Sequence, residues 1–136
     1  MLKNLTIAVI DDDLVDLEDI DRKIKTIAAK HPAIAFTVLL YNSSEQAMRD
    51  IKVKNDIALL ILDIHMPEMD GIEFINHMAK ENIHIPVLLT TGINPEIMHV
   101  ADKIGRMSGV SVIEEAVKPI SESALTKTLL KLELIY

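Results

Sequence analysis

Short apolar runs alternate with amphipathic stretches along the chain, and this alternation predicts five strand–helix units. Leu5 to Ile10 is the first apolar run, and Asp11-Asp12-Asp13 ends it. Leu14, Leu17, Ile20, Ile24, Ile27 and Ala28 then recur at the spacing of one helix face. Phe36 to Leu40 predicts the second strand. Ser43, with Gln46 three residues later, reads as a capping box for a short helix through Ala47 and Ile51. Ile57 to Leu62 is apolar at every position, the pattern of a central strand covered on both faces. Asp70-Gly71-Ile72-Glu73 opens a third helix, with Ile72, Ile75 and Met78 predicted inward. Val87 to Thr90 predicts the fourth strand. Asn94-Pro95 then places a cap and a helix-starting proline ahead of Ile97, Val100, Ala101 and Ile104. A fifth strand is expected within Val110 to Val117. Ser121 caps a last helix with Leu125, Leu129 and Leu132 on one face.

Five successive βα units imply the α/β class, with an open parallel sheet and helices on both sides. Such sheets bind ligands outside the carboxyl ends of their strands, at a topological switch point. The residues at each strand's carboxyl end therefore matter most. After strand one come Asp11 and Asp12, and after strand three comes Asp63. Strand four ends in Thr90, Thr91 and Gly92, and strand five in Lys118-Pro119. The polar residues suited to chemistry all fall on one rim.

Composition narrows the class further. The 136 residues suit one domain, 1–136, and 49% of them are hydrophobic, enough for a single core. Aromatics make up 3%, so the core must be built from Ile, Leu, Val, Ala and Met; the seven Met residues read as core filler. The chain has no cysteine, which excludes disulfides, thiolate metal sites and thiol nucleophiles. No apolar run approaches the ~18 residues of a membrane span. Met1 to Thr6 lacks a signal-peptide layout, so a cytoplasmic location away from membranes is expected. The net charge of −7 argues against non-specific nucleic-acid binding by this domain.

Three carboxylates converging on one rim repel one another, so at least one should resist ionising without a metal. A divalent cation relieves this. Oxygen ligands without Cys or clustered His point to Mg²⁺, with Mn²⁺ as the other candidate. Asp63 stands at the end of the central strand and is the better nucleophile, since a carboxylate can attack phosphorus and form an aspartyl-phosphate. Negative charge on the transferring group would be offset by Lys118 and by a hydrogen bond from the Thr91 hydroxyl. Gly92 leaves room beside that group.

Four stretches together carry a specific family likeness. Ala8-Val9-Ile10-Asp11-Asp12, then Leu62-Asp63-Ile64-His65-Met66-Pro67-Glu68-Met69-Asp70-Gly71, then Leu89-Thr90-Thr91-Gly92, then Val117-Lys118-Pro119 resemble the receiver domain of two-component response regulators. The likeness covers essentially the whole chain in the correct order. It implies a flavodoxin-like doubly wound sheet of strand order 2-1-3-4-5. It implies that Asp11, Asp12 and Asp63 hold the metal together with the backbone carbonyl of His65, that Asp63 is the phosphoacceptor, and that Thr91 and Lys118 contact the phosphoryl group. It also implies a cis peptide bond at Lys118-Pro119. The implied partners are a sensor histidine kinase or phosphotransfer protein and a downstream effector, with a homodimer as one possible assembly. The implied role is a switch, not a turnover enzyme.

The chain departs from the family pattern in three places. Glu115 stands three positions before the Lys, where an aromatic switch residue is frequent. The segment from Thr91 to Lys118 is longer than usual. Gly92 stands where Ala is common. The longer segment, with Ser108-Gly109-Val110 before the last strand, is similar to receivers that precede cyclic-dinucleotide phosphodiesterase domains. With Glu115 expected to stay near solvent, the output is expected to run through Thr91 and the loop Gly92-Ile93-Asn94.

Taken singly, each feature has a plainer reading. Asp11 to Asp13 could cap a helix, Asp63 could be a turn residue, and Lys118 a surface lysine. Glu114 and Glu115 read as a solvated strand edge. His31, His77, His84 and His99 have no ligand spacing, while His65 could face solvent or tune dephosphorylation. Two other functions compete. A haloacid-dehalogenase-type Mg²⁺ phosphohydrolase also uses an Asp nucleophile, but it expects Gly and then Thr or Val after the second Asp, where this chain has Leu14 and Val15. A non-phosphorylated binding module would not need the intact acid pair, acceptor, Thr and Lys.

Overall fold

The computed structural model describes residues 3–92, 99, 103 and 105–136. Among them run β1 (Lys3–Ile10), α1 (Leu14–Ala29), β2 (Ile34–Tyr41), α2 (Ser44–Val53), β3 (Ile57–Asp63), α3 (Gly71–Lys80), β4 (Val87–Thr91), β5 (Val112–Val117) and α4 (Glu122–Lys131). Residues 105–108, ahead of β5, are also helical. The predicted cap at Asn94-Pro95 and the inward positions Ile97, Val100, Ala101 and Ile104 lie outside the described residues.

The strands are all parallel and lie in the order β2-β1-β3-β4-β5, as expected. Chain order reverses between β1 and β3, which makes the gap at their carboxyl ends the switch point. Side chains alternate across the sheet, so each central strand feeds two cores. Leu5, Ile7 and Val9 of β1, Leu59 and Ile61 of β3 and Leu88 of β4 pack with α1 and α4. Ala8, Ile10, Leu60, Leu62, Val87 and Leu89 pack with α2 and α3. This two-sided demand explains why β3 reads as an unbroken apolar run. None of the described helices is long and apolar enough to cross a membrane.

The helices follow their caps. Asp13 accepts hydrogen bonds from the Val15 and Asp16 N–H groups, Ser43 from Gln46, Asp70 from Glu73 and Ser121 from Ala124. Several inward assignments need correction. Leu14, the first residue of α1, is 60% exposed; Leu17, Ile20, Ile24 and Ile27 form the buried row. In α3 the inner face is Gly71, Phe74, Ile75 and Met78, and Ile72 is only half-buried. β2 is longer than Phe36–Leu40 at both ends, and Val110 and Ser111 precede β5. Met48, Met66 and Met78 fill the core as expected, whereas Met107 is exposed.

Candidate functional site

The strand ends deliver the predicted residues to one depression. Asp11 continues the odd-numbered row of β1, and Asp63 ends the same kind of row in β3; both are buried, at 1% and 3% exposure. Asp12 is exposed at the mouth. Oxygen atoms of Asp11, Asp12 and Asp63 lie within 4.8 Å of one another. The cavity is open to solvent and about 530 Å³ in volume; its walls include Asp12, Asp63, His65, Gly92 and Lys118. Thr91 is completely buried at the end of β4, so Gly92 and not Thr91 lines the cavity.

Lys118 is the cation of the site. Its backbone N–H donates to the Thr91 carbonyl at 2.9 Å, which extends the β4–β5 ladder and sets the two residues side by side. The Lys118–Pro119 peptide bond is cis. The Lys118 ammonium lies 2.6 Å from Asp11 Oδ2, 3.1 Å from Asp63 Oδ2 and 3.1 Å from Asp16 Oδ2. Asp16, in the first turn of α1, is not among the residues the sequence pattern singles out. It stands outside the acidic triplet in sequence, and only the fold brings it to a lysine 102 positions away.

Burial opposes ionisation at the two inner acids. It pushes Asp63 from its ordinary 3.8 up to about 6, with the neighbouring charge of Asp11 adding to the rise and Lys118 opposing it. Burial also raises Asp11, against the pull of Lys118 and of the Asp13 N–H, which donates to Asp11 Oδ1 at 3.0 Å. At Lys118 burial acts downward, but contact with Asp11 and the charges of Asp63 and Asp16 outweigh it, so the ammonium is held well above its ordinary value. An excess of carboxylates over cations, two of them reluctant to ionise, is a donor set that a hard divalent cation fits.

The loop after Asp63 is pinned from several sides. The Ile64 N–H donates to the Thr90 carbonyl at 3.0 Å, and the Met69 N–H to the buried Ser44 hydroxyl at 3.1 Å. The Gly71 N–H donates to the Ile64 carbonyl at 2.8 Å. A Cβ on Gly71 would stand 2.8 Å from Ile64 Cα and 2.9 Å from the Asp63 carbonyl oxygen, so only glycine permits this approach. By contrast, a Cβ on Gly92 would meet Lys118 side-chain carbons at 3.9 and 4.0 Å, an ordinary contact. The Gly-for-Ala departure therefore leaves the packing there unchanged.

His65 is half-buried, and its N–H donates to Asp63 Oδ1 at 3.3 Å. Its Nε2 is buried with no hydrogen-bond partner among the described residues, so that nitrogen does not face solvent. Glu114 and Glu115 lie on the edge strand β5, as expected, but are half-buried and not fully solvated. Their side chains are 27% and 22% exposed; Glu114 lies 3.8 Å from Lys131 and Glu115 lies 3.7 Å from His99. Asp13 does what its plainer reading required and caps α1.

Similarity to known proteins agrees with this geometry. The chain is 32% identical over 87 residues to the two-component response regulator ARR2 of Arabidopsis thaliana, covering 63% of this chain and 12% of that one. It is 30% identical over 96 residues to the transcriptional regulatory protein NatR of Bacillus subtilis, covering 71% of this chain and 39% of the relative. It thus spans well under half the length of these curated relatives. A solved response regulator from Colwellia psychrerythraea superposes with a TM-score of 0.75 at 25% identity, covering 96% of this chain and 97% of that one. Residues 7–130 match the model of the response regulator receiver domain, and with the acid pair, Asp63 and Lys118 gathered at the sheet's switch point, the chain belongs to that family of two-component signalling proteins.

Proposed function

We propose that residues 1–136 act as one phosphorylation-dependent switch that accepts a phosphoryl group on Asp63 from a histidine kinase or phosphotransfer protein. The observation that carries this reading is the Asp63 carboxylate, open to the cavity, with Oδ2 3.1 Å from the Lys118 ammonium and a second acid pair beside it. A carboxylate oxygen of Asp63 attacks the phosphorus of a phosphohistidine. The P–N bond breaks, and the leaving imidazole takes up a proton. Lys118 offsets charge on the equatorial oxygens, and the Thr91 hydroxyl, buried beside the cavity, turns toward the phosphoryl group to donate to one of them. Asp11, Asp12, Asp63 and the His65 carbonyl would hold Mg²⁺, or Mn²⁺ in its place. The cation would supply charge neutralisation between the acids and the incoming group. The domain works in the cytoplasm, does not turn over an external substrate, and hands its signal to a downstream effector domain or protein.

The test is modification by acetyl phosphate or phosphoramidate with Mg²⁺, read by intact mass. Wild type should gain one phosphoryl group that hydroxylamine removes, and Asp63→Asn should gain none. Equal modification of the Asn variant would place the acceptor elsewhere.

A further inference from the structure

Three carboxylates share the Lys118 ammonium among the described residues, and they differ in what else they can do. Asp11 and Asp63 belong to the group of oxygens close enough to hold a cation; Asp16 does not. The ammonium has three donors; it donates to Asp16 Oδ2 at 3.1 Å, while Asp11 and Asp63 stand beside it as ion-pair neighbours at 2.6 and 3.1 Å. When a divalent cation binds, Asp11 and Asp63 turn their charge to it. When Asp63 is phosphorylated, it ceases to be a carboxylate. In both states Asp16 alone of the three keeps its full charge for Lys118.

We propose that Asp16 is the positioning residue for Lys118, the anchor that keeps the ammonium at the acceptor once the metal has claimed the inner acids. This rests on the phosphoacceptor reading above. A free lysine side chain, with its many rotamers, loses much conformational entropy on being ordered. An anchor present before the reaction removes part of that cost from the transition state.

The position of Asp16 is itself secured by independent contacts. Asp13 caps the helix start and accepts from the Asp16 N–H at 3.4 Å. Two turns further along α1, the Lys23 ammonium donates to the Ile120 carbonyl at 2.7 Å and pairs with Asp19 at 2.7 Å. Ile120 lies two residues beyond Lys118. Helix α1 therefore grips the segment after β5 at two points, once through the Lys118 side chain and once through the backbone. The Asp16 side chain is 32% exposed and Lys118 13%, so the pair sits at the mouth of the cavity, where the anchor can stay while the inner acids are occupied.

The experiment compares wild type, Asp16→Asn and Asp16→Glu. The first readout is NMR relaxation of the Lys118 side-chain ε-carbon and ammonium, with and without Mg²⁺, in unphosphorylated protein. Without metal, Asp11 and Asp63 still hold the lysine and the Asn variant should match wild type. With saturating Mg²⁺, Lys118 should become mobile in the Asn variant and stay ordered in wild type and in Asp16→Glu. The second readout is phosphorylation by phosphoramidate at saturating Mg²⁺. The Asn variant should be roughly three- to tenfold slower, the range of one partly exposed charged contact. Its Mg²⁺ dissociation constant should change by less than about threefold, since Asp16 is outside the metal group. Glu should recover the rate. An ordered Lys118 and a wild-type rate in Asp16→Asn with Mg²⁺ bound overturn the inference. If wild type itself takes up no phosphoryl group, the acceptor reading fails instead, and the relaxation data still report on the anchor.

Discussion

Replacing Asp63 by Asn is expected to stabilise the metal-free fold. Asp63 is 3% exposed. Burial and the nearby charge of Asp11 raise its carboxyl from 3.8 to about 6. Between these two values the folded protein holds the proton more tightly than the unfolded chain does. Stability therefore falls as pH rises from near 3.8 to about 6, and the full penalty remains above that range. With each pKa unit worth about 1.4 kcal/mol, the penalty is near ~3 kcal/mol, and relaxation of the site lowers the expectation to about 2–3 kcal/mol. Asparagine keeps the volume and an oxygen that can accept from the His65 N–H, now 3.3 Å from Asp63 Oδ1. Lys118 keeps Asp11 and Asp16. In chelator at neutral pH, urea titration should place the variant about 2–3 kcal/mol above wild type, a melting-temperature rise of roughly 6–12 °C. The gap should close on acidification to near the ordinary carboxylate value of 3.8. Adding Mg²⁺ should raise wild type and leave the variant nearly unmoved, which narrows the gap from the other side. A variant less stable than wild type at neutral pH, or a gap indifferent to acid, would refute this reasoning.

Two further substitutions probe the metal and the loop. Asp12→Ala removes the exposed member of the acid group, so Mg²⁺ affinity, expected to be millimolar-range in wild type, should fall about tenfold or more in a calorimetric or NMR titration; unchanged affinity would move the metal elsewhere. Gly71→Ala drives a methyl group against Ile64 Cα and the Asp63 carbonyl oxygen, and should cost about 1–3 kcal/mol in urea unfolding while slowing modification of Asp63. A variant with wild-type stability and rate would mean that the start of α3 moves freely away from Asp63.

The five βα units and the parallel sheet follow from pattern because such sheets demand so much of a sequence, whereas the strand order is implied by the family likeness. The unbroken apolar run of β3 is what two covered faces require, and Asp63 at its end is conspicuous for that reason. Helix faces were less legible. In α3, Ile72 and Phe74 are both apolar and two positions apart, so periodicity admits either as the inward residue. The contact of Gly71 with Ile64 sets the rotation of the helix and turns Phe74 in. In α1, Leu14 has the right spacing but is the helix's first residue, ahead of the buried row that begins at Leu17, and periodicity does not record where burial starts.

The amino-acid sequence by itself determined the five apolar runs, their caps and the residue types at each strand end. These are local properties, encoded in alternation and in single side chains such as Asp13, Ser43, Asp70 and Ser121. Only the tertiary structure decided which of the acids share the lysine. Asp16 and Lys118 are 102 residues apart, and their contact depends on the fold bringing the start of α1 to the segment after β5, where Lys23 also donates to the Ile120 carbonyl. It also decided the protonation behaviour of Asp63. A carboxyl's pKa depends on how much water is excluded from it and which charges surround it, and both come from packing β1, β3 and β5 into one sheet, not from any neighbour in sequence.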